Sequence, residues 1–126
     1  MSKVWYYWGA ILGWVFLISC EKEPIHIGIA KYIASPANNL LSERIVSIVS
    51  EKYPAVVFVS ENADGRTENL EKISLSFAAD SQLKLRIAID TPMAQSFAEE
   101  SGAPIIYTGV TDPENALLTQ STSPIT

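Results

Sequence analysis

Short apolar runs alternate with amphipathic stretches along the chain, and this alternation predicts strands and helices in turn. Four runs rich in β-branched and aromatic residues predict strands, at 25–30, 55–59, 83–89 and 104–110. Three stretches with apolar residues at helical spacing separate them: one follows Ser35-Pro36 and ends near Tyr53, one starts at Thr67, and one covers 92–101. The apolar face of the first helix is expected to contain Leu41, Ile45, Ile48 and Val49.

The order of these elements predicts an α/β fold. Strands that alternate with helices form a parallel sheet of about four strands, and the crossover helices cover it on both sides to give three layers. The strands are almost continuously apolar, as expected when both faces of a sheet are covered. At 126 residues, the chain is long enough for one small domain.

Three predicted strands are followed by the same local pattern, a capping side chain before proline. The pairs are Ser35-Pro36, Thr91-Pro92 and Asp112-Pro113, and the last starts a fourth helical turn through Leu118. Thr91 is the expected N-cap of the third helix, and Gly102 its expected C-terminal stop. The carboxyl ends of parallel strands share one edge, where ligands bind, and a free helix start attracts anions. The same pattern also starts helices in domains that bind nothing, so both interpretations stay open.

Composition excludes several classes of function. Hydrophobic residues make up 48% of the chain, which is enough for a folded core, and charged residues make up 18%. The net charge of −5 argues against a nucleic-acid partner, because phosphate backbones select basic surfaces. A single Cys excludes an internal disulfide, and the single His26 lies in an apolar run, which favours a packed side chain over a metal ligand.

The motifs of nucleotide-binding proteins and hydrolases are missing from the sequence. The first strand is not followed by Gly-x-Gly-x-x-Gly, and the chain has neither a P-loop lysine nor a Gly-x-Ser-x-Gly segment. The sequence therefore predicts no cofactor and no enzymatic activity.

The N-terminus has the pattern of an export signal. Lys3 precedes an apolar run at 4–18, which is shorter than the roughly 20 residues of a membrane span. The segment 17–20, Leu-Ile-Ser-Cys, resembles the bacterial lipoprotein signal, in which the cysteine is lipidated; a simple anchor with an incidental cysteine is the alternative. We expect a signal peptide at 1–19, acyl chains such as palmitate on Cys20, and a tether at 20–24. The protein would then be lipid-anchored to a bacterial membrane, facing its extracytoplasmic side.

Four groups of residues share their order and spacing with one family of proteins: 27–29 with 35–37, 61–65, 91–95 and 110–113. Together they resemble the N-terminal lobe of ABC-transporter substrate-binding lipoproteins of the tryptophan/tyrosine type. The resemblance covers residues 25–118, and 119–126 is expected to be a loose tail or the start of a crossover. The resemblance implies a single lobe of a periplasmic-binding-protein-like fold, with the second lobe of that fold absent from this sequence.

The resemblance also implies a mechanism, which is capture without chemistry. A small amino-acid-like ligand, with aromatic amino acids among the candidates, would place its carboxylate at the Thr91 hydroxyl and the N–H groups of Met93 and Ala94. Asp112 would receive its ammonium group. An ABC permease would be the partner of a functional protein. Because one lobe leaves most of a ligand in water, we expect weak affinity. The full set of expected ligand-binding residues is Ser35, Asn62, Thr91, Met93, Ala94, Thr111 and Asp112.

The sequence departs from the family pattern at the edge of the expected cleft. Asn38-Asn39 follows Ser35-Pro36-Ala37 where the family usually has Leu-Asp after His-Pro-Ala, and Asp90 stands where a small residue is common. Ligand identity therefore stays open. Two further functions also stay open: an envelope or surface interaction lipoprotein that keeps the half-fold without transport, and a non-functional remnant of a split binding protein.

Overall fold

The computed structural model describes residues 23–116, and within them it confirms the predicted alternation. The predicted signal peptide at 1–19, the lipidation site Cys20 and the tail at 119–126 lie outside the described residues. No helix in the described part is long and apolar enough to cross a membrane. The elements are β1 (Ile25–Lys31), α1 (Pro36–Lys52), β2 (Val56–Asn62), α2 (Thr67–Ala79), β3 (Leu83–Ile89), α3 (Thr91–Glu99) and β4 (Ile105–Thr108).

The four strands form one parallel sheet in the order β2-β1-β3-β4. Residues alternate between its faces, so Ile27 and Ile29 of β1 pack on one side while Ala30 packs on the other. Helices α2 and α3 cover the face of Ala30, and α1 covers the opposite face. The fold is therefore the predicted three-layer α/β arrangement.

The face covered by α2 and α3 contains large aromatic side chains packed on small strand residues. The rings of Phe77 and Phe97 lie 5.6 Å apart between centroids, and Phe97 is fully buried. Gly28 lies beneath Phe77, and a Cβ atom at Gly28 would come within 2.7 Å of that ring. Glycine in the central strand therefore creates the space that the aromatic pair fills.

The face covered by α1 is more open. Leu41, Ile45 and Val46 pack on the strand isoleucines, yet no residue of α1 is fully buried. The prediction that Ile48 belongs to the packed face is wrong, because 62% of this side chain is exposed. A single helix lying on a sheet contacts it along a narrow stripe, and Ile48 lies outside that stripe.

Several predicted boundaries are wrong. β2 continues to Asn62, because it pairs with β1 over its whole length, whereas β4 pairs with β3 only over Ile105–Thr108. Thr67 is the first residue of α2 rather than its cap; Arg66 is the N-cap and makes no side-chain capping bond.

The end of α3 also differs from the prediction. The helix ends at Glu99 with Glu100 as C-cap, so Gly102 is not its stop. Arg86 explains the early end: its side chain donates hydrogen bonds to the carbonyls of Glu100 at 3.3 Å and Ala103 at 2.8 Å. These bonds hold the chain in a non-helical path after α3. The predicted fourth helical turn is seen as a turn at 113–116, and its continuation to Leu118 lies outside the described residues.

Candidate functional site

The chain reverses its direction of winding between β1 and β3. The connection that leaves β1 enters α1 on one face of the sheet, and the connection that leaves β3 enters α3 on the other. Because β1 and β3 are neighbours, their carboxyl ends form a switch point with a crevice between the diverging loops. Lys31 and Ile89 are paired there, and both lead into loops that carry predicted site residues.

Asp90 is the N-cap of α3, so the prediction that Thr91 fills this position is wrong. The Oδ1 atom of Asp90 accepts a hydrogen bond from the Met93 N–H at 3.2 Å. Its backbone has φ 85° and ψ 162°, a region that is almost reserved for glycine. A non-glycine residue persists in this region only when surrounding contacts outweigh the strain.

Contacts of this kind converge on the Asp90 carboxylate. Oδ2 accepts hydrogen bonds from the backbone N–H of Tyr32 at 2.8 Å and from the side-chain Nδ2 of Asn38 at 3.2 Å. Burial raises the pKa of the Asp90 carboxyl group, and the N–H groups of Tyr32, Met93 and Ile33 oppose that rise. Asp90 therefore ties the loop after β1 to the start of α3.

The predicted ligand-binding set does not include Asp90, Tyr32 or Asn38. One signal in the sequence points to two of them, because Asn38 and Asp90 both depart from the family pattern. In the structure these two departures are direct hydrogen-bond partners.

Ser35 caps α1 as predicted. Its hydroxyl accepts a hydrogen bond from the Asn38 N–H at 3.1 Å. The loop around it is internally bonded, since Asn38 donates to the Ile33 carbonyl and Lys31 Nζ donates to Asn39 Oδ1 at 2.6 Å. The loop after β1 is thus fixed by the chain's own polar groups.

The end of β2 is joined to the same loop. Asn62 Oδ1 accepts a hydrogen bond from the Asp64 N–H at 3.0 Å, which forms a local turn. The Tyr32 hydroxyl donates to the Gly65 carbonyl at 2.7 Å, and the Gly65 N–H donates to the Tyr32 carbonyl at 2.7 Å. Tyr32 therefore contacts both the loop after β2 and the start of α3.

The loop after β4 also reaches the start of α3. The hydroxyl of Thr91, which does not cap the helix, accepts a hydrogen bond from the Thr111 N–H at 3.2 Å. Asp112 Oδ1 accepts from the Asn115 N–H at 3.2 Å, and both Asp112 and Thr111 are exposed. Thr91 and Thr111 therefore hold adjacent loops together, and the Asp112 side chain is accessible to solvent.

Met93 and Ala94 offer little to a ligand in the described conformation. Their side chains are fully buried in the core. Their N–H groups are already bonded, that of Met93 to the Asp90 carboxylate and that of Ala94 to the Asp90 carbonyl at 3.2 Å. The predicted site residues all lie at or near the carboxyl edge of the sheet, and their contact with a ligand stays a prediction. They are Ser35, Asn62, Thr91, Met93, Ala94, Thr111 and Asp112.

A cavity of about 390 Å³ lies at the opposite, amino-terminal edge of the sheet. Half-buried His26 contributes to its wall together with residues that precede β1 and β3. This cavity is separate from the switch point. Its lining consists of Glu23, Pro24, His26, Ser81, Gln82 and Lys84.

Comparison with known proteins gives matches among solved structures. No protein-family model matches the sequence, and no curated protein matches it. An ABC domain from Streptococcus pneumoniae, solved in complex with L-Trp, has a TM-score of 0.67 and 27% identity. A ligand-free, open substrate-binding protein with adhesive properties from Clostridium difficile has a TM-score of 0.66 and 28% identity. A conserved domain protein from Vibrio cholerae has a TM-score of 0.73 and 20% identity, which supports the fold alone.

These matches cover most of this chain but a minor part of the other proteins. They include 73%, 72% and 82% of this chain for the Streptococcus, Clostridium and Vibrio structures. The same alignments cover 32%, 32% and 38% of those chains, so this chain spans about a third of their length.

Proposed function

Because the chain has the fold of one lobe of a periplasmic-binding-protein-like substrate-binding protein, we propose that it captures a small solute for an ABC importer. The observation that carries this proposal is the switch point itself. Loops from all four strands meet there, and hydrogen bonds between Tyr32, Gly65, Asp90, Thr91 and Thr111 fix them in place. A preformed wall of this kind suits capture of a solute without chemical change.

The proposed ligand is amino-acid-like. The Streptococcus structure contains L-Trp, which makes aromatic amino acids the first candidates. The exposed carboxylate of Asp112 is proposed to receive an ammonium group. In two-lobed proteins, closure of the lobes surrounds the ligand. A single wall leaves most of the ligand in water, so the chain alone should bind weakly.

The proposed setting is the bacterial cell envelope. The export signal and Cys20 would tether the protein to a membrane on its extracytoplasmic side, beside an ABC permease. Metabolic labelling with a palmitate analogue tests this part, because replacement of Cys20 by alanine should abolish labelling. Labelling that persists in the Cys20→Ala variant would exclude lipidation at this residue.

Amide NMR of the full chain in detergent micelles tests ligand capture. Titration with L-Trp should shift amides at the switch point, with saturation at about millimolar concentration. Asn62→Ala, which removes a side chain from this edge, should weaken the response. Gln82→Ala is the matched control, since Gln82 is an exposed polar residue at the opposite edge. Micromolar binding would contradict the expected weak affinity, and unchanged amides with every amino acid tested would contradict solute capture.

An envelope interaction protein is the second candidate, and exposed apolar side chains favour it. Leu40 and Ile48 of α1 are 57% and 62% exposed, and Leu75 of α2 is 55% exposed. Deletion of the gene separates the two functions. Loss of labelled amino-acid uptake supports transport, whereas normal uptake with reduced attachment to surfaces supports the interaction function. Unchanged uptake and attachment would point to a remnant without function.

A further inference from the structure

The start of α3 already holds a carboxylate, and that carboxylate belongs to the chain. Donors from three separate positions converge on Asp90: the Met93 N–H in the first turn of α3, the Tyr32 N–H at the end of β1, and the side chain of Asn38 in α1. A free ligand carboxylate would use the same two backbone N–H groups at the switch point.

We infer that Asp90 is an internal anion that excludes a ligand carboxylate from the start of α3 and thereby determines which class of ligand the lobe accepts. The accepted ligand would present a neutral or cationic group, such as a primary amide or amine, towards α3. This inference rests on the proposed function, because it concerns the ligand of the same site.

Two physical reasons support exclusion of an anion. The Met93 and Tyr32 N–H groups are occupied, so a second carboxylate would find no free backbone donor in this pair. Like charges a few ångströms apart also repel each other, and the repulsion is stronger at a partly buried position than in bulk water. The Asp90 Oδ1 atom accepts the Met93 N–H, and a carboxylate oxygen has a second lone pair that can accept a ligand N–H.

The backbone of Asp90 gives independent support. Its φ of 85° favours glycine, so the carboxylate contacts must outweigh the strain of a side chain at this position. Glycine at position 90 would relieve the strain and release both N–H groups at once. Asp90→Gly is therefore the variant most suited to expose the anion site.

Amide NMR of the full chain in detergent micelles, with sodium acetate as the probe and sodium chloride as the ionic-strength control, tests this inference. We expect saturable shifts of the Met93 and Tyr32 amides in Asp90→Gly and none in the wild type. Asp80→Gly is the matched control. Asp80 Oδ1 also accepts a backbone N–H, from Gln82 at 2.9 Å, but Asp80 lies at the end of a helix, where the dipole repels anions. The Gln82 amide should therefore not respond to acetate in that variant.

The outcomes separate this inference from the proposed function. Saturable acetate shifts at Met93 in the wild type would overturn the inference, and so would a folded Asp90→Gly protein without such shifts. L-tryptophan and L-tryptophanamide provide a second comparison: the amide should shift wild-type resonances more, and Asp90→Gly should reverse that order. If neither compound binds either protein, capture of aromatic amino acids fails, while the acetate result still decides the role of Asp90.

Asp90→Asn keeps the inference testable if Asp90→Gly does not fold. In the wild type, the Met93 and Tyr32 amide protons should follow one carboxyl titration, because both donate to Asp90. That titration should be lost in Asp90→Asn. Met93 and Tyr32 amides that do not titrate in the wild type would overturn the inference.

Discussion

The carboxylate of Asp90 accepts a 2.8 Å hydrogen bond from the backbone N–H of Tyr32, which lies 58 residues earlier in the chain. The bond joins the ends of β1 and β3, the two strands between which the winding of the chain reverses. Because Tyr32 also contacts Gly65, this single pair connects three of the loops at the candidate site.

The free energy of unfolding should depend on pH through Asp90. Burial raises the pKa of this carboxyl group in the folded protein above its ordinary value of 3.8. The folded state therefore holds the proton more tightly, and ionisation of Asp90 opposes folding. Stability relative to Asp90→Asn should be greatest below pH 3.8 and fall as pH rises from there through the raised pKa.

Urea unfolding of the wild type and Asp90→Asn from about pH 3 to about pH 7 measures this difference. Subtraction of the two curves removes the contribution of all other carboxyl groups. A difference that rises with pH would show that hydrogen bonds to Asp90 outweigh its burial, contrary to the prediction.

Gly28→Ala should destabilise the sheet by overpacking. The added Cβ would lie 2.7 Å from the Phe77 ring and 3.0 Å from the Leu83 side chain. Overpacking in a core typically costs about 1–3 kcal/mol, which denaturant unfolding can measure. Combining Gly28→Ala with Phe77→Leu should recover part of the loss, since the smaller side chain frees space. Equal destabilisation with and without Phe77→Leu would argue against a clash with this ring.

Arg86→Met should destabilise the end of α3. Arg86 is 2% exposed, its guanidinium lies 5.7 Å from the centroid of the Phe97 ring, and it donates hydrogen bonds to the carbonyls of Glu100 and Ala103. Methionine keeps the apolar contacts but leaves these carbonyls unpaired, which typically costs about 1–3 kcal/mol.

Lys84→Met is the matched control for Arg86→Met, because Lys84 is an exposed cation in the same strand. Its free energy of unfolding should change by no more than about 0.5 kcal/mol. Equal losses in the two variants would show that the charge of the strand, rather than the bonds of Arg86, accounts for the effect.

A hydrogen bond between two serines should stabilise the packing of α2 against α3. Ser74 is 2% exposed, and its hydroxyl lies 2.5 Å from that of Ser96. Ser74→Ala leaves the Ser96 hydroxyl without this partner and should cost about 1 kcal/mol. In a double-mutant cycle, Ser96→Ala should add little once Ser74 has been replaced.

Ser76→Ala is the control for the serine pair, since Ser76 is exposed in the same helix. It should leave stability nearly unchanged. Additive losses in the Ser74 and Ser96 cycle would mean that the two hydroxyls act independently.

The candidate site shows where sequence reasoning reaches its limit. The prediction of Ser35 as a cap is confirmed, because the cap, the proline and the first turn of α1 are neighbours in sequence. At α3, both Asp90 and Thr91 are suitable capping residues, and local sequence cannot choose between them. Tyr32 and Asn38 determine the choice, because their donors hold the Asp90 carboxylate in place.

By itself, the sequence determined the alternation of strands and helices, the α/β class and the parallel sheet, because apolar periodicity and chain-breaking prolines act over a few residues. Only the tertiary structure decided the strand order β2-β1-β3-β4 and which apolar residues of α1 contact the sheet. It also decided that the start of α3 is occupied by Asp90, since that contact depends on donors 58 and 52 residues away in the chain. The sequence indicated an anion site at Thr91, and long-range hydrogen bonding fills that site with the chain's own carboxylate.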